Sequence, residues 1–119
     1  MSVKATYQID QIKTGNDPVS TTEVTIASGQ NLPEYTPIGM VTATGEYKKA
    51  VATANDGSEN PVYFTAYEVD ASGGAVKAQV VKSGTFTPDA LAWDDSFDAA
   101  KKLTAFVGTP ISLQTTERV

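Results

Sequence analysis

The sequence contains no cysteine and no histidine. The first absence excludes disulfides, a thiolate nucleophile and a thiolate metal site. The second removes the commonest general acid–base and the commonest zinc ligand. Basic residues are few: nine Lys and Arg stand against fourteen Asp and Glu, for a net charge of −5. A chain that needs several phosphate contacts would carry the opposite balance, which argues against nucleic acid as a direct partner. No run of about 18 apolar residues occurs, so no transmembrane helix is expected. The opening residues Val3, Ala5, Tyr7 and Ile9 are interrupted by polar ones and do not form a signal segment. G-x-S-x-G, Walker A and G-x-G-x-x-G patterns are also missing. These absences leave no recognisable catalytic constellation and call for neither metal nor cofactor. They favour binding or structure over catalysis.

What is present suits a folded domain. The 119 residues are 40% apolar and 19% charged, ordinary values for a globular chain of one domain. A domain of this size buries roughly two-thirds of its unfolded surface, enough for a core without staples. No repeat is evident. Val3, Ala5, Tyr7 and Ile9 alternate as in an extended strand. Gly15-Asn16-Asp17-Pro18 breaks that pattern, and Thr22, Val24 and Ile26 resume it. Residues 27–37 hold Ser28, Gly29, Asn31, Pro33 and Pro37 and read as loop. Residues 1–36 are therefore expected to form an N-terminal arm and linker, residues 37–114 a β-rich globular domain, and residues 115–119 a polar tail.

Within the domain, residues 38–42 and 47–53 are rich in strand formers around a Thr44-Gly45-Glu46 turn. Residues 62–69 and 76–81 flank a Gly-containing loop and are expected to pair as a hairpin. Thr87-Pro88-Asp89 reads as a helix start, with Thr87 as N-cap and Pro88 at the first helical position. A second start is placed at Asp95 or Ser96, with Phe97, Ala100, Leu103 and Phe106 as one apolar stripe and Gly108 as the stop. Ile111 and Leu113 alternate in a last short strand. The fold class is thus mainly β with one or two short helices.

Several clusters invite a chemical reading. Asn55-Asp56-Gly57-Ser58-Glu59-Asn60 superficially suggests a calcium loop, but with Gly57 as the invariant glycine two ligand positions fall on Ala52 and Ala54. A plain turn is the better reading. Asp94, Asp95 and Asp98 could pair as carboxylates, yet acids at a helix start explain them fully. Ser83 beside Lys82, and Ser72 near Lys77, lack any elbow or assisting base. Trp93 either packs in the core or anchors an interface. Tyr35, Tyr47, Tyr63 and Tyr67 could together form an aromatic platform of a surface-binding module for carbohydrate or a host protein. Tyr63 and Tyr67 would then share one strand face. The apolar face of the arm, Tyr7, Ile9 and Ile12, either folds back on its own domain or adds to another protein's sheet edge.

Lys82-Ser83-Gly84-Thr85-Phe86, then Trp93, then the run from Ala100 through Thr104-Ala105-Phe106 and Gly108-Thr109 to Ile111-Ser112, resemble the head decoration protein of lambda-like bacteriophages. That family carries a similar KSGTF, a following Trp and a KK-x-TAF-x-GT-x-IS run. Gly15-Asn16, Asp17-Pro18 and Thr36-Pro37-Ile38 echo it upstream in the same order. The resemblance implies a β-clip type fold, a bent β-ribbon with a few short helices and a mobile N-terminal arm. It implies a homotrimer on the three-fold sites of the expanded head, on the outer surface of the capsid of the virion. There the protein would cement the shell against packaged DNA. The partner would be the major capsid protein, met by an arm strand carrying Val3, Ala5, Tyr7, Ile9 and Ile12. Asp17, Pro18, Thr36 and Pro37 would set the exit of the arm. Trp93 and Phe97 would support the trimer or the core.

Overall fold

The computed structural model describes residues 19–113, apart from the side chain of Leu103. The expected strand at residues 3–9 and the tail at 115–119 lie outside the described residues. Eight strands follow in order: β1 Ser20–Ile26, β2 Asn31–Leu32, β3 Pro37–Met40, β4 Tyr47–Lys49, β5 Tyr63–Thr65, β6 Val69–Asp70, β7 Val76–Phe86 and β8 Ile111–Leu113. A 3₁₀ turn at Pro88–Ala90 and a short helix, α1 at Ala99–Thr104, lie between β7 and β8. The fold is mainly β with one short α-helix, as the sequence predicts.

The main sheet runs β1-β4-β3-β5-β7-β8, and β1 also pairs with β7. That second pairing closes five strands into a small barrel and leaves β8 as an appended strand, parallel to the end of β7. The longest pairing, β1 against β7, is antiparallel and runs from Ser20↔Ser83 to Ile26↔Val76. It corrects the expectation that the arm and linker extend to residue 36. Ile26, Leu32 and Tyr35 are buried at 0%, 1% and 4% exposure. Their burial stabilises the fold by about 1.5–3 kcal/mol for each large apolar side chain, so this stretch is core. Local alternation at Thr22, Val24 and Ile26 marks a strand but cannot say that its partners are the remote Val80, Ala78 and Val76.

β7 divides the interior into two clusters. Ala78 and Val80 point into the barrel with Ile26, Leu32, Ile38 and Val69. Val81 points the other way, with Tyr35, Phe64, Leu91, Phe106 and Ile111. Period-two alternation would send residue 86 to the barrel side, yet Phe86 belongs to the second cluster. The register explains the switch. Ser20 pairs with Ser83 and Thr21 with Val81, so Lys82 is an extra residue, a β-bulge that shifts parity by one. Gly84 completes the turn with φ 133°, and the Phe86 ring lies over its α-carbon. The Lys82–Phe86 motif is thus the device that hands β7 from one core cluster to the other.

Phe64 is the hub of the second cluster. Tyr35, Phe86 and Phe106 meet its ring edge-on at 6.1, 5.0 and 6.5 Å. Tyr35 adopts φ 63°, a costly conformation for a side-chain-bearing residue. Its peptide is held on both sides, N–H to Thr65 C=O and C=O to Ala92 N–H, each at 2.9 Å. Burial raises the Tyr35 hydroxyl pKa, and Glu34 adds to the effect. Beside it, Thr65 Oγ1 accepts from Thr36 N–H at 2.8 Å and donates to Pro33 C=O at 2.9 Å.

The helical region differs from the sequence reading. Thr87 makes no side-chain cap, and its turn is only three residues of 3₁₀ helix. The α-helix starts at Ala99, not near Asp95. Asp94 first closes its own turn, accepting Ser96 N–H on its side chain and Phe97 N–H on its carbonyl, both at 3.0 Å. Asp98 is the true N-cap, accepting Lys101 N–H at 2.8 Å. The predicted strand over residues 62–69 also breaks at Ala66. Val69–Asp70 leaves it to pair with Asn31–Leu32, so Tyr63 and Tyr67 do not share a strand face. After β6 an exposed loop turns back into β7, held by Asp70 Oδ1, which accepts from Ser72 N–H and Oγ–H at 3.0 and 2.6 Å.

Candidate interaction surface

The residues expected to form the arm contact, Val3, Ala5, Tyr7, Ile9 and Ile12, lie outside the described residues, as do Asp17 and Pro18. Thr36 and Pro37 are described and are fully buried. Thr36 donates its hydroxyl to Pro33 C=O at 2.6 Å, and Pro37 opens β3. They belong to the core and not to an arm exit. The chain instead joins the sheet at Val19 and Ser20, beside Ser83 and Gly84.

Trp93 and Phe97 pack together, rings 5.2 Å apart, and Trp93 also meets Phe106 at 6.1 Å. The Trp93 indole N–H donates to Pro88 C=O at 2.8 Å. Both side chains therefore have intramolecular packing work. The family-like motifs behave the same way. Phe86, Phe106 and Ile111 all converge on the second core cluster. Thr109 Oγ1 donates to Phe106 C=O at 2.7 Å and accepts from Ile111 N–H at 3.2 Å, which ties the turn around Gly108 (φ 90°) to β8.

Asp94 and Asp56 are likewise each held by local partners. Asp94 is held below the usual carboxylate range by Ser96 and then by Lys49, whose Nζ lies 3.2 Å away. Asp56 is held far below it by Lys48 Nζ at 2.7 Å and by Ser58 N–H and Oγ–H. The Asn55–Asn60 loop is a pinned turn. The tyrosines do not converge into a platform. Tyr35 is core; Tyr47 and Tyr63 stack at 5.4 Å against the barrel cluster, where burial and the neighbouring hydroxyl raise the Tyr47 pKa. Tyr67 is exposed, and its hydroxyl accepts from Gln79 N–H at 3.1 Å.

What remains is a surface suited to docking. β1 runs antiparallel to β7, so its first residues lie beside Ser83 and Gly84. β8 runs parallel on the other flank, with Ile111 beside Gly84 and Leu113 beside Phe86. Both ends of the described chain therefore lie at the same end of the molecule, beside the last residues of β7. Next to them, the turn from Phe106 to Thr109 and strand β8 line an open cleft of about 260 Å³. Val107 on that turn is 79% exposed, more than Met40 (41%) or Tyr67 (47%). Sequence reasoning missed this end because Val107 falls off the apolar stripe. The signal available was an apolar residue between two core anchors, Phe106 and Ile111.

The chain is 29% identical over 102 residues, 86% of its own length and 84% of the relative's, to the head decoration protein of Enterobacteria phage P21. A family profile described as bacteriophage lambda head decoration protein D matches residues 5–112, so the chain belongs to the family of the lambda head decoration protein D.

Proposed function

We propose that this protein decorates the outside of a phage head as a trimer, seated at the three-fold sites of the expanded shell, and cements the lattice against the pressure of packaged DNA. The observation that supports the reading is that the described chain begins, at Ser20, and finishes, at Leu113, at one end of the molecule, which would let the segments beyond both grip one partner. Residues 1–14, with Val3, Ala5, Tyr7 and Ile9 on alternate positions and Ile12 after them, would add as a strand to the major capsid protein. Ordering a free arm costs about 1–2 kcal/mol per residue in backbone entropy. Strand hydrogen bonds and burial of Tyr7 and Ile9 must exceed that cost. Three protomers bound together make each later contact effectively intramolecular, so individually weak contacts sum to a firm one. A partner surface exposed only after expansion makes attachment specific to the mature shell.

The test is co-sedimentation of the pure protein with expanded, undecorated heads, with unexpanded heads as control. Saturable binding to expanded heads alone, near three copies per three-fold site, is the expected result. Deleting residues 1–14 should abolish binding while the circular dichroism and melting of the remaining fold persist. Equal decoration by the truncated chain would eliminate the arm as the contact.

A further inference from the structure

Among the described residues, β8 pairs on one side alone, with β7. Gly84 N–H donates to Pro110 C=O at 3.2 Å. In a parallel ladder with Gly84 opposite Ile111, that bond turns the peptide groups of Ser112 toward β7 and those of Ile111 and Leu113 outward. The outward Ile111 N–H is already taken by Thr109 Oγ1 at 3.2 Å. Thr109 therefore blunts the edge at Ile111 and leaves Leu113 as the first position where another strand can pair. Val107 stands at the rim of the neighbouring cleft. Phe106 and Ile111, each 2% exposed, fix the turn on both sides, so the outward position of Val107 is built in.

We infer that the Val107 turn and the edge of β8 form a second docking element for the shell protein, taking an extended segment of it by strand addition at Leu113, with an apolar side chain seated against Val107. The inference rests on the shell-binding reading above. The occupant is assigned to the shell because the two ends of the described chain, Ser20 beside Ser83 and Leu113 beside Phe86, both lie against this same stretch of β7. Whatever the arm grips is thereby held against this edge. Val107→Glu is a clean probe, since a side chain this exposed contributes little to folding.

Full-length wild type, Val107→Glu and Val107→Ala are titrated against expanded heads by co-sedimentation, and hydrogen exchange is measured on free and shell-bound wild type. The melting temperature and sedimentation coefficient of Val107→Glu should match wild type, while its binding weakens by about tenfold or more. Val107→Ala should lose less. Exchange in residues 106–113 should slow on the shell. Unchanged affinity with no added protection overturns the inference and leaves the shell-binding reading intact. A Val107→Glu protein that sediments as a smaller species assigns the surface to copy-to-copy contact and also overturns it. Absence of binding by wild type itself removes both readings.

Discussion

Replacing Gly84 by alanine probes whether the most recognisable motif of the chain is a folding device. The new Cβ would stand 2.7 and 2.9 Å from Cζ and Cε2 of Phe86 and 3.3 Å from Cγ2 of Val19. Phe86 has little room to retreat, being 0% exposed and 5.0 Å from the Phe64 ring. Overpacking of this kind costs about 1–3 kcal/mol. Holding a residue with a side chain at φ 133° adds about 1–3 kcal/mol more. Together these remove a large part of the roughly 5–15 kcal/mol that stabilises a typical domain. Urea unfolding followed by Trp93 fluorescence reads the loss directly, because the indole packs on Phe106 within the same cluster. With a urea dependence of about 1–3 kcal/mol per molar, the midpoint should fall by about 1 M or more. An unchanged midpoint would refute the account of the bulge and the glycine as a parity switch.

Two further predictions follow from the buried and exposed polar groups. Thr65→Val keeps the shape but strands the buried Thr36 N–H, and should lower stability by about 1–3 kcal/mol; Thr65→Ser, which keeps the hydroxyl, should lose less in the same denaturation assay. Asp56, Asp70 and Asp94 all have depressed folded-state pKa values, through Lys48 and Ser58, Ser72, and Ser96 with Lys49 respectively. Their contribution is complete above the unfolded carboxyl pKa of about 4 and is lost progressively as pH falls below it. Melting temperature should therefore be flat across neutral pH and drop below about pH 4, and Asp56→Asn should shallow that drop.

The strands were legible where apolar alternation was strong, as at Thr22, Val24 and Ile26, and the last-third motifs pointed to the family. Their structural meaning was not legible. β1 looked like part of an arm because its partner, β7, is remote in sequence, and alternation reports a strand without its neighbour. Residues 62–69 looked continuous because Tyr63 and Tyr67 fit one period. The break at Ala66 comes from β6 pairing with β2, a tertiary choice. Thr36 and Pro37 carried loop-like composition and proved to be core, since Thr65 satisfies the polar groups of Thr36 inside the fold. Of the acids at 94–98, Asp98 caps the helix and Asp94 closes the turn before it, whereas Asp95 caps neither, and the helix start was placed one turn too early. The end at which the described chain begins and finishes was hidden because it is assembled from β1, β7 and β8, which only the closed sheet brings together.

The loop that joins β6 to β7 has a practical use. It opens β7, whereas the chain ends leave beside the close of β7, and the eleven residues between them span about 33 Å at roughly 3.3 Å per residue. Ser72 and Gly73 at its tip are exposed. A peptide spliced between them would be carried far from the chain ends, so, on the proposed shell-binding role, a decorated head could serve as a scaffold for dense, regularly spaced display of foreign epitopes.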